Sequence, residues 1–424
     1  LDEALRLAVS DRLVKAVAAL GYVGAGTIEM LLSPEGELFF MEMNTRLQVE
    51  HPVTEMVTGE DIVQWQFRIA AGEPLPDSLK RCGSRGHAIE VRLCAEDAGR
   101  SFMPQTGTIH RWIAPAGIRV EHALHDGMEV SPDYDSMIAK LIAHGPDRET
   151  ARKRLIRALG ETAVLGIATN RDYLSHCLEH PEFIAGGVDT GFIGRHHDVL
   201  VQAMAQTSEP LCSVAACLLL PRSGRSATDT GPSATGLTLK GRSPVPVRLA
   251  LDGNCLDYSV SRIGAESFLI AGTSGATTLS IASIGEGELR VALAGQVSAV
   301  RYEQRDRQVW VSDERASLAL EDLTYSVPVN WLAGAASTRI GPRSSAGPLQ
   351  SLDAQGGVPA PLSARVSALH VAVGQSVAEG DLLVCLEAMK IEYRVTAPRA
   401  GRVARIDVTT DRVVQAGTCL LQIE

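Results

Sequence analysis

The stretch Leu382-Leu383-Val384-Cys385-Leu386-Glu387-Ala388-Met389-Lys390-Ile391-Glu392-Tyr393-Arg394-Val395 decides how the C-terminal part of the chain is read. Two apolar, strand-like runs flank Glu387-Ala388-Met389-Lys390, and four residues between such runs predict a hairpin turn with Lys390 near its tip. An exposed lysine is usually only a solvated charge, but this one sits inside a repeat. At a shift of 37 positions, Ala360-Pro361 falls on Ala397-Pro398, Val366 on Val403, Leu369 on Ile406 and Val371 on Val408. At the same shift Val377 falls on Val414, Gly380 on Gly417 and Leu383 on Leu420. Apolar and glycine positions recurring in register predict two copies of one small strand unit, with Lys390 on the segment between them.

A pseudo-twofold flattened β-barrel with a lysine on its connecting hairpin resembles the biotinyl/lipoyl carrier fold. Lipoyl carriers usually have Asp-Lys-Ala around the lysine, whereas Glu387-Ala388-Met389-Lys390 is similar to the signature of biotinyl carriers. The resemblance implies biotin joined covalently to the Lys390 amine, with a biotin protein ligase as partner. Two residues depart from the pattern. Ala364 stands where the repeat, at Gly401, and the family lead one to expect glycine, and Ile391 stands where the family often has methionine.

The length of 424 residues is enough for two to four domains, and 45% hydrophobic with 21% charged residues is an ordinary globular balance. A net charge of −10 argues against nucleic acid as a partner, because phosphate binding needs a basic surface. The eight cysteines are scattered without a Cys-x-x-Cys pair, which predicts reduced thiols in a cytoplasmic protein. No apolar run has the length of a membrane span and there is no signal peptide pattern. The chain opens with Leu1-Asp2-Glu3 inside a helical pattern, which predicts a fragment of a longer protein.

Apolar residues at helical spacing over 3–20 predict a helix ending at Gly21. Gly26–Leu32 and Glu37–Glu42, joined by Ser33-Pro34-Glu35-Gly36, predict a β-hairpin with Glu29 and Glu42 on its arms and Asn44 just beyond. Two carboxylates and an amide oxygen are hard ligands of the kind that hold Mg²⁺ against nucleotide phosphates. The run that follows is Glu42-Met43-Asn44-Thr45-Arg46-Leu47-Gln48-Val49-Glu50-His51-Pro52-Val53-Thr54-Glu55. It resembles the active-site segment of biotin carboxylases, members of the ATP-grasp group. Gly86–Asp97 and Tyr134-Asp135-Ser136-Met137-Ile138-Ala139-Lys140 are further runs similar to that family.

By this resemblance Glu29, Glu42 and Asn44 ligate Mg²⁺ or Mn²⁺ bridging the ATP phosphates, and Glu29, Leu31 and Glu42 face the nucleotide. Arg46, Gln48 and the backbone at Val49 hold bicarbonate, with Glu50 as general base and Arg119 facing biotin. The residue types suit the chemistry. Bicarbonate attacks the γ-phosphate only as a carboxylate takes its proton, a guanidinium fork holds a planar oxyanion at two points, and charge developing on the ureido oxygen needs a fixed cation. A glycine-rich phosphate lid and lysines for the α- and β-phosphates are not found before Glu29. The expectation is therefore that the ATP-binding N-terminal half is absent and that this chain alone does not carboxylate biotin.

Residues 148–160 predict a basic amphipathic helix with a solvated face, and Leu211–Leu220 is apolar enough for a short helix buried on every side. Residues 221–236 predict a loop. Eight short strand signals between 245 and 320 predict an antiparallel barrel or meander. A barrel around a buried helix, set between carboxylase and carrier, resembles the BT domain of acyl-CoA carboxylase α subunits.

The predicted fold class is multidomain α+β. It comprises the C-terminal part of an ATP-grasp biotin carboxylase (1–200), a BT-like mediating domain (201–332), a flexible linker (333–357) and a biotinyl carrier (358–424). The resemblance implies a ligase, the α subunit of a biotin-dependent acyl-CoA carboxylase of the methylcrotonyl, geranyl or propionyl type. It would carboxylate biotin with ATP and bicarbonate for transfer to an acyl-CoA on a carboxyltransferase β subunit, in a hetero-oligomer. The alternative is a biotin carrier and assembly scaffold without carboxylase activity.

Overall fold

The computed structural model describes residues 3–33, 35–77, 79, 82–220, 243–272, 275–285, 287–293, 295–324 and 356–424. The loop expected at 221–236 lies outside them, as does the expected linker except for its last two residues. Two compact units divide the chain, Leu1–Glu90 with Ile142–Leu155, and Val91–Leu141 with Ile156–Glu424.

In the first unit the helix Glu3–Ala19 is followed by Gly21 in the left-handed region (φ 64°), as a C-cap requires. The strands Thr27–Leu32 and Leu38–Asn44 form an antiparallel hairpin that sets Glu29 directly opposite Glu42. Its turn is closed by Ser33 N–H donating to the Glu37 carbonyl at 2.8 Å. No residue of either strand is buried. The helices His51–Thr58 and Ile62–Ala70 follow, one stopping at Gly59 (φ 79°) and the other capped by Asp61, whose carboxylate accepts from Gln64 N–H. Buried Glu55 ties them together by accepting from Ile62 N–H at 2.7 Å. The basic helix corrects one expectation, because Arg152 is buried rather than solvated. Its guanidinium is held bidentately by Glu149, at 2.8 and 2.7 Å, which satisfies the charge one turn away.

In the second unit the strand Arg119–His122 lies at the edge of a three-stranded sheet. A single 27-residue helix, Phe192–Leu218, then runs through Pro210. The sequence pattern marked only Leu211–Leu220 as a buried helix, and residue 200, where the first expected domain ends, falls inside this longer one. Proline removes only one backbone donor, and the Thr207 and Ser208 hydroxyls donate to the Met204 carbonyl in that turn.

The eight anticipated strands, from Val245–Leu251 to Ser317–Asp322, form a closed antiparallel barrel in sequential order. The first and last strands pair at Leu249↔Asp322, so no sheet edge is left open. The end of the long helix, Leu211–Leu218, is buried with Leu249, Phe268, Ile270, Leu279, Val300 and Val309 in one hydrophobic core. A buried arginine joins the barrel to the chain before it. Arg171 Nη1 donates to the Thr162 carbonyl, Ser312 Oγ and the Asp313 carbonyl, each at 2.9 Å. Its neighbour Asp172 accepts from Ser317 N–H at 2.8 Å.

The C-terminal domain is two four-stranded sheets. The 37-residue repeat is visible in its strands, since Ala364–Leu369 matches Gly401–Ile406 and Ser376–Val377 matches Val413–Val414. The break in the repeat has a steric reason. A Cβ on Gly401 would collide with the Glu424 carbonyl and the Ile423 side chain, whereas Ala364 keeps its methyl group wholly inside the core.

Candidate functional site

Lys390 lies in a turn tighter than expected. Leu382–Ala388 and Ile391–Thr396 are strands, Ala388 pairs with Ile391, and the connection is only Met389-Lys390. Both turn residues have positive φ, 52° and 64°, which is the type I′ pattern that matches the twist of a hairpin. Neither is Gly or Asn, so the tip stores backbone strain of order 1–3 kcal/mol per residue. The strand leading into the turn is the most deeply buried of the domain, with Leu383, Val384 and Leu386 all inaccessible. Lys390 itself is exposed and, among the described residues, makes no hydrogen bond or ion pair. Of the two flanking acids, Glu387 is taken by Arg365 at 3.0 Å and Glu392 Oε1 accepts from Cys385 Sγ at 3.4 Å. The result is a free amine on a rigid stalk.

In the first unit, four of the expected site residues converge. Asn44 Nδ2 donates to Glu29 Oε1 at 2.7 Å and to Glu42 Oε1 at 3.1 Å, and Gln48 Nε2 donates to the same Glu29 oxygen at 2.8 Å. Two carboxylates sharing an amide N–H are a fitting place for a divalent cation, which would take the place of that positive pole. Arg46 is exposed and bonds the Leu47 carbonyl at 3.2 Å, and Glu50 is exposed at the start of the helix His51–Thr58. His51 Nδ1 lies 2.7 Å from the Gln48 carbonyl, bracing the Gln48–Glu50 segment from below. Leu31 is exposed on the hairpin arm, beyond the carboxylates.

Arg119 belongs to the second unit. Its guanidinium Nε donates to Glu121 Oε1 at 2.9 Å, and Lys140 Nζ reaches the other carboxylate oxygen at 2.5 Å. Burial alone would raise the Glu121 pKa, but hydrogen bonds from Lys140 and Arg119 outweigh it and hold the carboxyl below its ordinary value. Two cations share one anion in this cluster. Sequence reasoning named Arg119 but not Glu121 and Lys140 as its partners. The period-2 alternation of a strand, which puts residues 119 and 121 on one face, was the signal for half of it.

Three family models match the chain. "Biotin carboxylase C-terminal domain" covers residues 90–195, "Carbamoyl-phosphate synthase L chain, ATP binding domain" covers 1–78 and "Biotin-requiring enzyme" covers 358–423. The mitochondrial methylcrotonoyl-CoA carboxylase subunit alpha of Rattus norvegicus is 34% identical over 96% of this chain. Along nearly its whole length the chain is similar to methylcrotonoyl-CoA carboxylase α subunits. It spans 56% of the rat carboxylase subunit. The biotin carboxylase of a Nostoc strain is 46% identical over 46% of the chain and 44% of that protein. Among solved structures, the biotin carboxylase domain of the Hydrogenobacter thermophilus 2-oxoglutarate carboxylase, with MgADP and bicarbonate, matches with a TM-score of 0.46. It is 44% identical, over 47% of this chain and 45% of that one.

Proposed function

We propose that this chain carries biotin on the Lys390 amine and acts as the α subunit of an acyl-CoA carboxylase, a ligase working with a carboxyltransferase β subunit. The Met389-Lys390 turn carries the reading. It holds an amine that pairs with no carboxylate among the described residues at the tip of a stiff hairpin, as a biotin protein ligase and a travelling prosthetic group both require. Glu29, Glu42 and Asn44 would hold Mg²⁺ or Mn²⁺, whose charge offsets that of ATP phosphates, with Leu31 and Glu29 toward the nucleotide. Arg46, Gln48 and the Val49 backbone would grip bicarbonate while Glu50 takes its proton. Arg119, oriented by Glu121 with Lys140 balancing the charge, offers a fixed cation for a developing oxyanion.

The acyl-CoA is methylcrotonyl-CoA or a related branched thioester. Carboxylation needs the phosphate-binding lid and lysines of the ATP-grasp fold in addition to these residues, so ATP turnover by these 424 residues alone is not expected. Eight free cysteines suit the reducing cytoplasm, and among the described residues no helix is long and apolar enough to cross a membrane.

Co-expression with a biotin ligase tests the central claim. Streptavidin blotting and intact mass should show one biotin on the wild-type chain and none on Lys390→Arg. An unlabelled wild type, or a labelled Lys390→Arg, would overturn it. The acyl-CoA is tested by ATP hydrolysis of a purified complex of the β subunit with an α chain that includes the phosphate-binding lid and lysines. Methylcrotonyl-CoA should stimulate it more than propionyl- or geranyl-CoA, and a propionyl preference would move the substrate assignment.

A further inference from the structure

The turn at Met389-Lys390 has an unusual feature for a hairpin tip: Met389 is only 3% exposed. A side chain there normally points into water, so something outside the hairpin must cover it. The backbone says what. In a two-residue hairpin closed by Ala388↔Ile391, the N–H of the first turn residue lies outside the ladder. Here the Met389 N–H donates to the Pro132 carbonyl at 2.8 Å. Two further observations point to the same surface. Met103, 4% exposed, belongs to the same hydrophobic cluster as the carrier core. Burial, with the negative charge of Glu96 beside it, pushes the Tyr393 hydroxyl up to about 12, which puts Tyr393 close to that carboxylate.

Pro132, Met103 and Glu96 are parts of one braced surface. Glu96 and Asp97 pair with Pro104 and Met103 in a short ladder. Ser136 Oγ donates to Glu96 Oε1 at 2.5 Å, and Ala95 N–H donates to the Ser136 carbonyl at 2.7 Å, tying that ladder to the 131–136 turn. Ser131 and Asp133 hold the turn itself, Asp133 N–H donating to Ser131 Oγ at 3.1 Å. All of these residues belong to the second unit together with the carrier.

We infer that the Pro132 carbonyl, Met103 and Glu96 form a docking seat for this chain's own carrier domain. Met389 is the positioning residue that plugs into it while the Lys390 amine stays outside. The seat holds the carrier by the Met389 backbone hydrogen bond and the packing of Met103 on its core, and leaves the modification point free. Its meaning as a place for the biotinyl turn rests on the biotin reading of Lys390, but its existence does not.

The test uses the full chain without biotin. Hydrogen–deuterium exchange, resolved to single amides by electron-transfer fragmentation, reads the Met389 N–H. Docked, it should exchange at least about tenfold more slowly than an unprotected turn amide, and Met103→Asp should abolish that protection. Met389→Ala, which removes the plug and leaves the backbone donor, should speed exchange at position 389 by several-fold. Circular dichroism identifies any variant that fails to fold. If Met103→Asp does so, Met389→Ala decides. An unprotected Met389 amide in the wild type, or protection unchanged in a folded variant, would overturn the seat. Loss of biotinylation at Lys390 would sink the biotin reading and leave these exchange rates where they are.

Discussion

Two β-hairpins carry the candidate chemistry, and they are built on opposite plans. The carrier hairpin stands on a core, with Leu383, Val384, Leu386 and Val395 fully buried, and displays one unpaired amine at its tip. The hairpin Thr27–Leu32/Leu38–Asn44 buries nothing, leaves Leu31, Phe39, Phe40 and Met41 exposed, and gathers its polar groups at one end. Covalent attachment needs a single nucleophile held away from competing charges, so stability comes from beneath. Cation and oxyanion binding needs several donors at once, so Glu29, Glu42, Asn44 and Gln48 hold one another. Rigidity in the first case is a matter of packing, and in the second of a polar network.

The sharpest way to break this contrast is to truncate one apolar side chain on each hairpin. Leu383→Ala should cost about 2–5 kcal/mol, since it opens a cavity in a closed core. Phe40→Ala, on a strand face in water, should stay within about 0.5 kcal/mol. Denaturant midpoints of the two variants decide it, and similar losses would mean that the first hairpin is packed after all. The next effect is on ligand binding. Glu42→Gln should weaken Mn²⁺ binding by about tenfold, on the order of 1.4 kcal/mol, because one of two adjacent carboxylates disappears. Electron paramagnetic resonance of free Mn²⁺ measures this, and an unaltered affinity would remove the hairpin from the metal site.

The same contrast governs how much could be read in advance. The carrier was legible because a 37-residue repeat fixes strand positions almost to the residue, and the barrel because its eight strands are punctuated by glycine or charge. The turn length was misjudged by two residues, since Glu387 and Ala388 continue the ladder opposite Glu392 and Ile391. Burial of Met389 was invisible, because it depends on Pro132, far away in sequence. That one helix continues through Pro210 was not legible, because only its end, Leu211–Leu218, carries the uniformly apolar pattern that is buried in the barrel core. At the Glu29, Glu42 and Asn44 cluster the nearness of the three side chains was legible from the hairpin, but the amide bridge between Glu29 and Glu42 was not. Strand patterning specifies which arm a carboxylate occupies and not where Asn44 turns its nitrogen.

A smaller effect separates a paired carboxylate from the lone amine. The Glu121 pKa is held below its model-compound value of 4.5 by Lys140 and Arg119, against the opposing pull of burial. A carboxyl whose pKa is lower in the folded than in the unfolded chain stabilises the fold above the unfolded value. That contribution is lost as pH falls through the folded value. Stability of the second unit should therefore decline below about pH 4.5 with a component that Glu121→Gln removes. Thermal melts of both proteins between pH 3 and 7 check it, and identical pH profiles would count against the ion-pair cluster.

The smallest effect lies at Lys390 itself. Its φ of 64° is a conformation that glycine adopts without penalty and lysine does not. Lys390→Gly should therefore stabilise the carrier by roughly 0.5–1 kcal/mol while losing the attachment point entirely. The gain is set against glycine's greater freedom in the unfolded chain, which is why it stays below the full strain. A raised denaturant midpoint would mean that the turn holds its lysine at a cost in stability, as functional positions often do. A midpoint that falls instead would mean that the lysine stem packs on the hairpin, and the amine would then be less free than its exposure suggests.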